Sequence, residues 1–581
     1  MKKYILLIIV LFSVLYIAPL SLRPLVVPDE TRYAQISREM INSSNWVVPH
    51  LNGLRYFEKP VMGYWINNVF MTIFGQNNFG ARFGSAFAAL LTTLIIFFFA
   101  RTHYENRKAF IISIIYMLST EVFIIGNTAI LDGIFNLFTT ASFIFIYFTL
   151  KAKSLKKVYL YIFLLGIALG AAFMTKGFLV FAITGISTVA YCLWEFFLGE
   201  FSRFKELKKS KIIIHSILIF LVLCIPIALI VIPWALAINK SEPDFWRYFI
   251  YEEHIRRFLA KNAQHSKPFY YYFPILFVVF MPWTLMLPLC ISKFKMIKNK
   301  LSSTPFMRFT ICWFALPLLF FSISKGKLPT YILPCIAPLA ILFYFSIEQF
   351  ITEPSRIAEI IFNWVMRILI FIIIVAMGAF AFIQFRGLYL PDGSKFFIFD
   401  NSFEKGKVYA LFITALMLIL FFYKILKLKN IDQKILIMAM ATAAIYINLM
   451  SSIPYILVKN NPKTPEYVIK QYSKQINPLT ILCSGKNMVT AVAWFTNRKD
   501  IYTIIEPGEL AYGIKYNEET KSRLLKDTES FNKLLEKSKG RRIIMFMKKK
   551  RYIKDILKRN KLPKPKRTSI KGKIAVLFYE P

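Results

Sequence analysis

Long apolar runs separated by short polar connections organise most of the chain. Runs of spanning length fall near 4–24, 83–100, 109–126, 131–150, 158–174, 178–198, 212–238, 269–290, 309–323, 331–349, 363–384, 408–426 and 435–457. At roughly 20 residues per membrane-crossing helix, this pattern predicts about thirteen spans. The first run has the basic start and apolar core of a signal peptide. No small-residue cleavage site follows, so it reads as an uncleaved first span. After about residue 458 the pattern changes. "LTILCSG", "IYTII", "RRIIMFM" and "KIAVLFYE" are short apolar runs suited to buried strands, while 464–475 and 517–539 repeat at helical spacing. The expected fold is mainly α: a polytopic membrane domain over 1–457, then an α/β domain over 458–581.

Charge tests the order of the spans. Basic residues gather in alternate connections: Arg101, Arg107 and Lys108; Lys151, Lys153, Lys156 and Lys157; Arg203 to Lys211; Lys293 to Lys300; Lys424 to Lys434. Cytoplasmic loops carry the excess of Lys and Arg, so this alternation predicts a cytoplasmic N-terminus. An odd number of spans then exports the C-terminus. The other face receives 25–82, 127–130, 239–268, 324–330, 385–407 and the tail from about 458. The chain is 56% hydrophobic and 18% charged with a formal net charge of +41, which fits positive loops and anionic lipid headgroups. Nucleic acid is disfavoured as a partner, because much of the basic charge lies in short loops between spans. The six cysteines show no zinc-binding spacing.

Candidate chemistry collects on the exported face. "VVPDETRYAQISREM" sets Asp29 and Glu30 directly after the first span, where carboxylates are costly to desolvate. A helix over 31–42 could simply lie in the headgroup region. Glu58 and Lys59 precede Pro60 in a second segment of the same loop. Asp132 starts an apolar helix, where it could serve only as an N-terminal cap. Lys176 and the stretch "YEEHIRRFLAKNAQHSKPFYYYFP", with His254, Arg256, Arg257 and His265, share that face. Glu253 and Arg257 are spaced for an ordinary helical salt bridge. "SKGKLPTYILP" adds Lys325, Lys327 and Tyr331, readable as a basic turn at an interface. Glu30 is undecided between a substrate role and a local salt bridge with Arg32 or Arg38. Carboxylates beside cations at one lipid interface suit a phosphate-bearing substrate: Lys and Arg hold phosphate oxygens, and carboxylates orient or deprotonate its partner.

"PDETRYAQISREM", "NWVVPHLNGLRYFEKPVMGYWINN", "GARFGSA", "NTAILDGIFNLFTT", "TKGF", the 252–274 stretch and "SKGKLPTYILP" occur in one order across roughly the first 350 residues. Together they resemble the bacterial aminoarabinose transferase family, within the protein-mannosyltransferase-like glycosyltransferases that use polyprenyl-phosphate sugars. The resemblance implies a GT-C fold with interfacial helices in the first external loop and a soluble periplasmic domain. It implies an inner-membrane enzyme that transfers a sugar from undecaprenyl phosphate to lipid A. By matching position, Asp29 and Asp132 are the acidic pair near sugar and acceptor. Lys59 matches the donor-phosphate lysine, and Arg256 or Arg257, with Tyr331, the phosphate side. Glu30, Lys176, Lys325 and Lys327 are further substrate-site candidates. No obligate cofactor is implied, but Glu58 with His254 or His265 matches a divalent, zinc-like metal site. Carboxylate–histidine contacts without metal are commoner. Val61 stands where family members often have a second proline, and Asn45 departs from a Gly-Asp pattern before Trp46. These departures leave the sugar open between aminoarabinose and another amino sugar or hexose.

A direct displacement from a polyprenyl phosphate predicts inversion at the anomeric carbon. Two alternatives stand beside it: a transferase of the same fold acting on protein or another glycan, and a transporter of lipid-linked sugars. A transporter predicts ionisable residues within spans and internal repeats, whereas the charges here cluster in external loops.

Overall fold

A computed structural model describes residues 1–198, 209–256, 265–291, 303–352, 354–389, 395–399, 404–452, 458, 461–538 and 540–579. Eleven described helices are long and apolar enough to cross a membrane. Two further pairs qualify only when each pair is taken together, which brings the count to thirteen. The first span covers Lys2–Ser21. It begins as α1 (Lys2–Phe12) and tightens into a 3-10 turn at Ala18–Ser21. After the first loop come α4 (Asn78–Ala100), the bent pair α5 (Asn106–Met117) and α6 (Thr120–Gly126), α7 (Asp132–Lys151), α8 (Leu155–Lys176), α9 (Leu179–Phe197) and α10 (Lys209–Ser241). A second bent pair, Phe269–Val279 and Trp283–Cys290, precedes the spans Pro305–Ile323, Pro329–Phe350, Arg356–Arg386, Lys405–Lys427 and Ile431–Ser451. Lipid offers backbone groups no partner, so the apolar runs become helices. Side-chain caps start several of them: Asn77 accepts the Gly80 N–H at 3.0 Å, and Asn430 that of Gln433 at 3.1 Å.

The runs at 109–126 and 269–290, expected as straight spans, are broken, with bends of 67° and 91°. The two breaks meet and satisfy each other's backbone. The Thr120 N–H and hydroxyl both donate to the Met281 carbonyl, at 3.0 and 3.1 Å. The Trp283 indole donates to Ile115 O at 2.7 Å, and the Tyr446 hydroxyl to Leu118 O at 2.9 Å. Irregular backbone at membrane depth persists only where protein supplies such partners.

The first loop folds as α2 (Asp29–Ser43), a hairpin of β1 (His50–Leu51) and β2 (Leu54–Arg55), and α3 (Met62–Phe74). Asn52 and Gly53 turn the hairpin with φ of 57° and 71°, and the buried Glu39 carboxylate accepts both their N–H groups at 2.8 Å. A Cβ on Gly53 would stand 2.7 Å from Lys499 O, so glycine is needed for φ and for space. Near residue 388 a short hairpin pairs β3 (Leu388–Tyr389) with β4 (Lys395–Phe396).

The tail builds a six-stranded sheet from β5 (Ile481–Gly485), β6 (Tyr502–Ile504), β7 (Leu524–Leu525), β8 (Ile543–Lys548), β9 (Arg567–Lys571) and β10 (Ile574–Tyr579), ordered β7-β6-β5-β8-β10-β9. From β7 to β8 the neighbours run parallel, and β10 pairs antiparallel with β8 and β9. The four apolar runs read from the sequence are β5, β6, β8 and β10. The short β7, the polar edge strand β9 and the helix Val489–Thr496 were not foreseen.

That helix packs on α2, the segment whose sequence reads as a helix over 31–42. Residues Glu30 to Met40 of α2 are all buried. The Arg38 guanidinium donates to the Ala493 and Trp494 carbonyls, both at 2.9 Å, and lies 4.2 Å from the Trp494 ring centroid. Thr31 and Thr490 hydroxyls meet at 2.7 Å, and Asn52 exchanges two bonds with the Ile501 backbone at 2.8 and 3.0 Å. The α2 helix is therefore the shared layer between the membrane helices and the C-terminal sheet.

Candidate functional site

Glu30 is a structural anchor and not an open site residue. It accepts Arg82 Nε at 2.7 Å and Nη2 at 3.0 Å, Arg23 Nη1 at 2.7 Å, and the N–H groups of Val26 and Ala129 at 2.8 and 2.9 Å. Burial pushes its pKa up, but Arg82, Arg23 and the Ala129 N–H more than reverse this, holding the carboxyl at about 2. The expected partners Arg32 and Arg38 are engaged elsewhere, because Glu30 points from the first turn of α2 toward α4. The pairing partners lie about fifty residues ahead and seven behind, beyond any helical spacing.

Asp29, one residue earlier, faces the opposite way. Its side chain is 58% exposed, and its Oδ1 meets Arg32 Nη2 at 2.7 Å. Arg32, read from the sequence only as a possible partner of Glu30, is a node. It reaches Glu509 of the C-terminal region at 2.6 Å and Glu58 at 3.9 Å, and its guanidinium stands 4.8 Å from the Tyr33 ring centroid. Burial works against the Arg32 cation, yet Tyr56, Tyr33, Glu509 and Glu58 around it leave its pKa raised. Tyr33, Tyr56 and Tyr64 line the same cluster. Burial raises the Tyr33 pKa; Arg32 opposes this, while Asp132, Asp29 and Glu58, all within electrostatic reach, add to it. Through Tyr33 the two predicted acids, Asp29 and Asp132, thus share one neighbourhood. Lys59 donates to Glu58 O at 2.8 Å and meets Glu253 at 3.3 Å. Asp132, at the start of α7, pairs with Lys176 at 2.8 Å; α8 delivers this lysine in its last turn, before Gly177 ends the helix at φ 75°.

The basic candidates divide. Arg256 is exposed and pairs with Glu252 at 2.7 Å, and Glu253 also meets Lys59; the expected Glu253–Arg257 pair falls on a residue outside those described. Arg257 lies outside the described residues, as does the side chain of His254. Lys327 is buried and structural: its ammonium donates to Lys267 O at 3.1 Å and to Ser324 O, its N–H donates to His265 O at 3.1 Å, and burial lowers its pKa. Lys325 is exposed at the same turn. Tyr331 packs near Phe321, ring centroids 5.9 Å apart, and beside Tyr272.

Comparison with known proteins places this geometry. The family model described as dolichyl-phosphate-mannose-protein mannosyltransferase matches residues 1–249, and that of the arabinosyl transferase ArnT C-terminal domain matches 460–578. The chain is 36% identical, over 98% of its length and 96% of the relative's, to undecaprenyl phosphate-alpha-4-amino-4-deoxy-L-arabinose arabinosyl transferase 2 of Proteus mirabilis. The chain belongs to this arabinosyl transferase family. The transferase of Serratia proteamaculans is 34% identical over the full chain and 98% of its own length. The crystal structure of ArnT from Cupriavidus metallidurans bound to undecaprenyl phosphate superposes with a TM-score of 0.75 at 20% identity, covering 99% of this chain and 98% of that one, so the fold is shared end to end.

Within this arabinosyl transferase the described residues do not make a metal centre. No group of three or more His, Cys, Asp or Glu among them is disposed to hold an ion. Glu58 faces Arg32, and His265, exposed at φ 59°, contributes its carbonyl to Lys327. The arrangement instead offers an exposed carboxylate at Asp29, an ammonium at Lys59, and the Asp132–Lys176 pair around a buried tyrosine cluster, closed from the tail side by Glu509.

Proposed function

We propose that the chain transfers 4-amino-4-deoxy-L-arabinose from undecaprenyl phosphate to lipid A at the periplasmic face of the bacterial inner membrane. The observation that carries this reading is the end-to-end match to the Proteus mirabilis transferase. The N-terminus is then cytoplasmic, residues 1–457 carry the membrane transferase domain, and 458–581 form a periplasmic domain. The membrane partners are the undecaprenyl-phosphate sugar, lipid A and bilayer lipid.

An acceptor phosphate oxygen of lipid A attacks the anomeric carbon, the bond to the donor phosphate breaks, and configuration inverts. A phosphate monoester is ionised near neutral pH, so the acceptor needs no strong base. Asp29, exposed and braced by Arg32, orients sugar and acceptor; its charge also favours the positive character that glycosyl transfer develops at the ring. Lys59 supports the leaving phosphate electrostatically, with Arg256 or Arg257 and Tyr331 on the same side. Lys176 keeps Asp132 oriented. The match to a mannosyltransferase model over 1–249 covers the half that holds Asp29, Lys59 and Asp132. It therefore supports polyprenyl-phosphate sugar transfer in general, and the C-terminal match favours the arabinosyl branch.

The test is reconstitution: purified protein in liposomes with the undecaprenyl-phosphate aminoarabinose donor and lipid A, products read by mass spectrometry. Lipid A carrying one added aminopentose is expected. Consumption of donor only when a polypeptide acceptor is supplied would overturn the acceptor assignment.

A further inference from the structure

Glu121 is a buried carboxylate that the roles above leave unused. It sits in α6, just after the break that tilts this helix against α5, and is 4% exposed. Neither of its oxygens accepts a hydrogen bond from any described residue. Asp132 lies within its electrostatic reach, as do Tyr116, Tyr272 and Cys335 around it. Tyr272 in turn neighbours Tyr331, so Glu121 and Tyr331 share Tyr272 as a common neighbour.

Two arguments define what this place would take. The first is charge. The Lys176 ammonium is matched by Asp132 at 2.8 Å, and no described residue forms an ion pair or hydrogen bond with the Glu121 carboxyl. A buried carboxylate is costly without a cationic partner. The second is hydrogen bonding. On α7, one turn beyond Asp132, the buried Asn136 donates its amide to the Tyr116 hydroxyl at 2.8 Å, while its Oδ1 has no donor among the described residues. With Glu121 ionised against a bound cation, the unmet atoms of Glu121 and Asn136 are all acceptors. Their complement is a group with several N–H donors, no acceptor and a positive charge, which describes a primary ammonium.

We propose that Glu121, supported by Asn136 and Asp132, receives the ammonium of the donor sugar and sets selectivity for a 4-amino pentose over its neutral 4-hydroxy counterpart. This rests on the donor reading above and names the group that reads the amine. Charge-assisted hydrogen bonds in a desolvated site contribute enough to give roughly 10- to 150-fold discrimination.

The test compares kcat/KM of the liposome-reconstituted enzyme for undecaprenyl phosphate carrying 4-amino-4-deoxy-L-arabinose or L-arabinose, in wild type and Glu121→Gln. Wild type is expected to prefer the amino sugar by about one to two orders of magnitude. In Glu121→Gln, which keeps the shape and removes the charge, that ratio should collapse toward one. A wild-type ratio near one overturns the proposal without any variant, so it stays testable if Glu121→Gln does not fold. A folded Glu121→Gln that keeps the wild-type ratio overturns it as well. Failure of wild type to transfer either sugar would instead sink the donor reading itself.

Discussion

Replacing Glu30 by Gln tests whether the acid beside the proposed catalytic residue is architectural. The substitution keeps the side-chain outline but removes the charge facing Arg82, which is fully buried, and Arg23. Breaking a buried ion pair by removing one partner costs about 3–5 kcal/mol, because the remaining charge stays desolvated. Linkage gives a second estimate. The carboxyl is held at about 2 against an ordinary value of 4.5, and 1.36 kcal/mol per pKa unit makes that about 3 kcal/mol. The sign follows from the depression: the contribution is complete above pH 4.5 and is lost as pH falls toward 2. The assay is the unfolding midpoint in detergent at pH 7 and across pH 6 to 3. Glu30→Gln should lie several degrees below wild type at pH 7, and the gap should close as the pH falls. A variant as stable as wild type at pH 7, or a gap that widens in acid, would refute the reasoning.

Asp29→Asn should lose transfer by roughly two orders of magnitude or more through kcat with an unchanged unfolding midpoint, since Asp29 is largely exposed; equal transfer would remove Asp29 from the site. Lys59→Ala should lower kcat/KM by about 10²-fold when the donor is limiting, measured by donor titration; a loss confined to the lipid A KM would move Lys59 to the acceptor side. Arg38→Ala removes two charged hydrogen bonds and a ring contact to the helix Val489–Thr496. It should weaken that interface by about 1.5–3 kcal/mol, seen as faster amide exchange over 489–496 with the transmembrane helices unaffected; unchanged exchange there would show that Arg38 does not hold the sheet domain to α2.

Hydropathy exposed the spans because lipid leaves the backbone no alternative to a helix. The two bends escaped it, since Thr120, Met281 and Tyr446 close them through contacts more than a hundred residues apart. The four central strands were readable as short apolar runs; the polar β9 and the two-residue β7 carry too little pattern to register. Within the site, Asp29, Lys59, Asp132 and Lys176 were reachable by motif and charge, and the last two prove to be a salt bridge. Arg32–Glu509 was not, because its halves lie 477 positions apart, and Glu121 was hidden inside an apolar run. Glu30 stayed undecided beside Asp29 because adjacency in sequence carries no information about which way a helix turns each side chain.

The central claim is tested most directly by mass spectrometry of lipid A from a bacterial strain that lacks its own aminoarabinose transferase but makes the undecaprenyl-phosphate aminoarabinose donor. Expression of this chain should add aminoarabinose to lipid A, and expression of Asp29→Asn at the same membrane level should not. Unmodified lipid A with the wild-type chain present in the membrane would contradict the account.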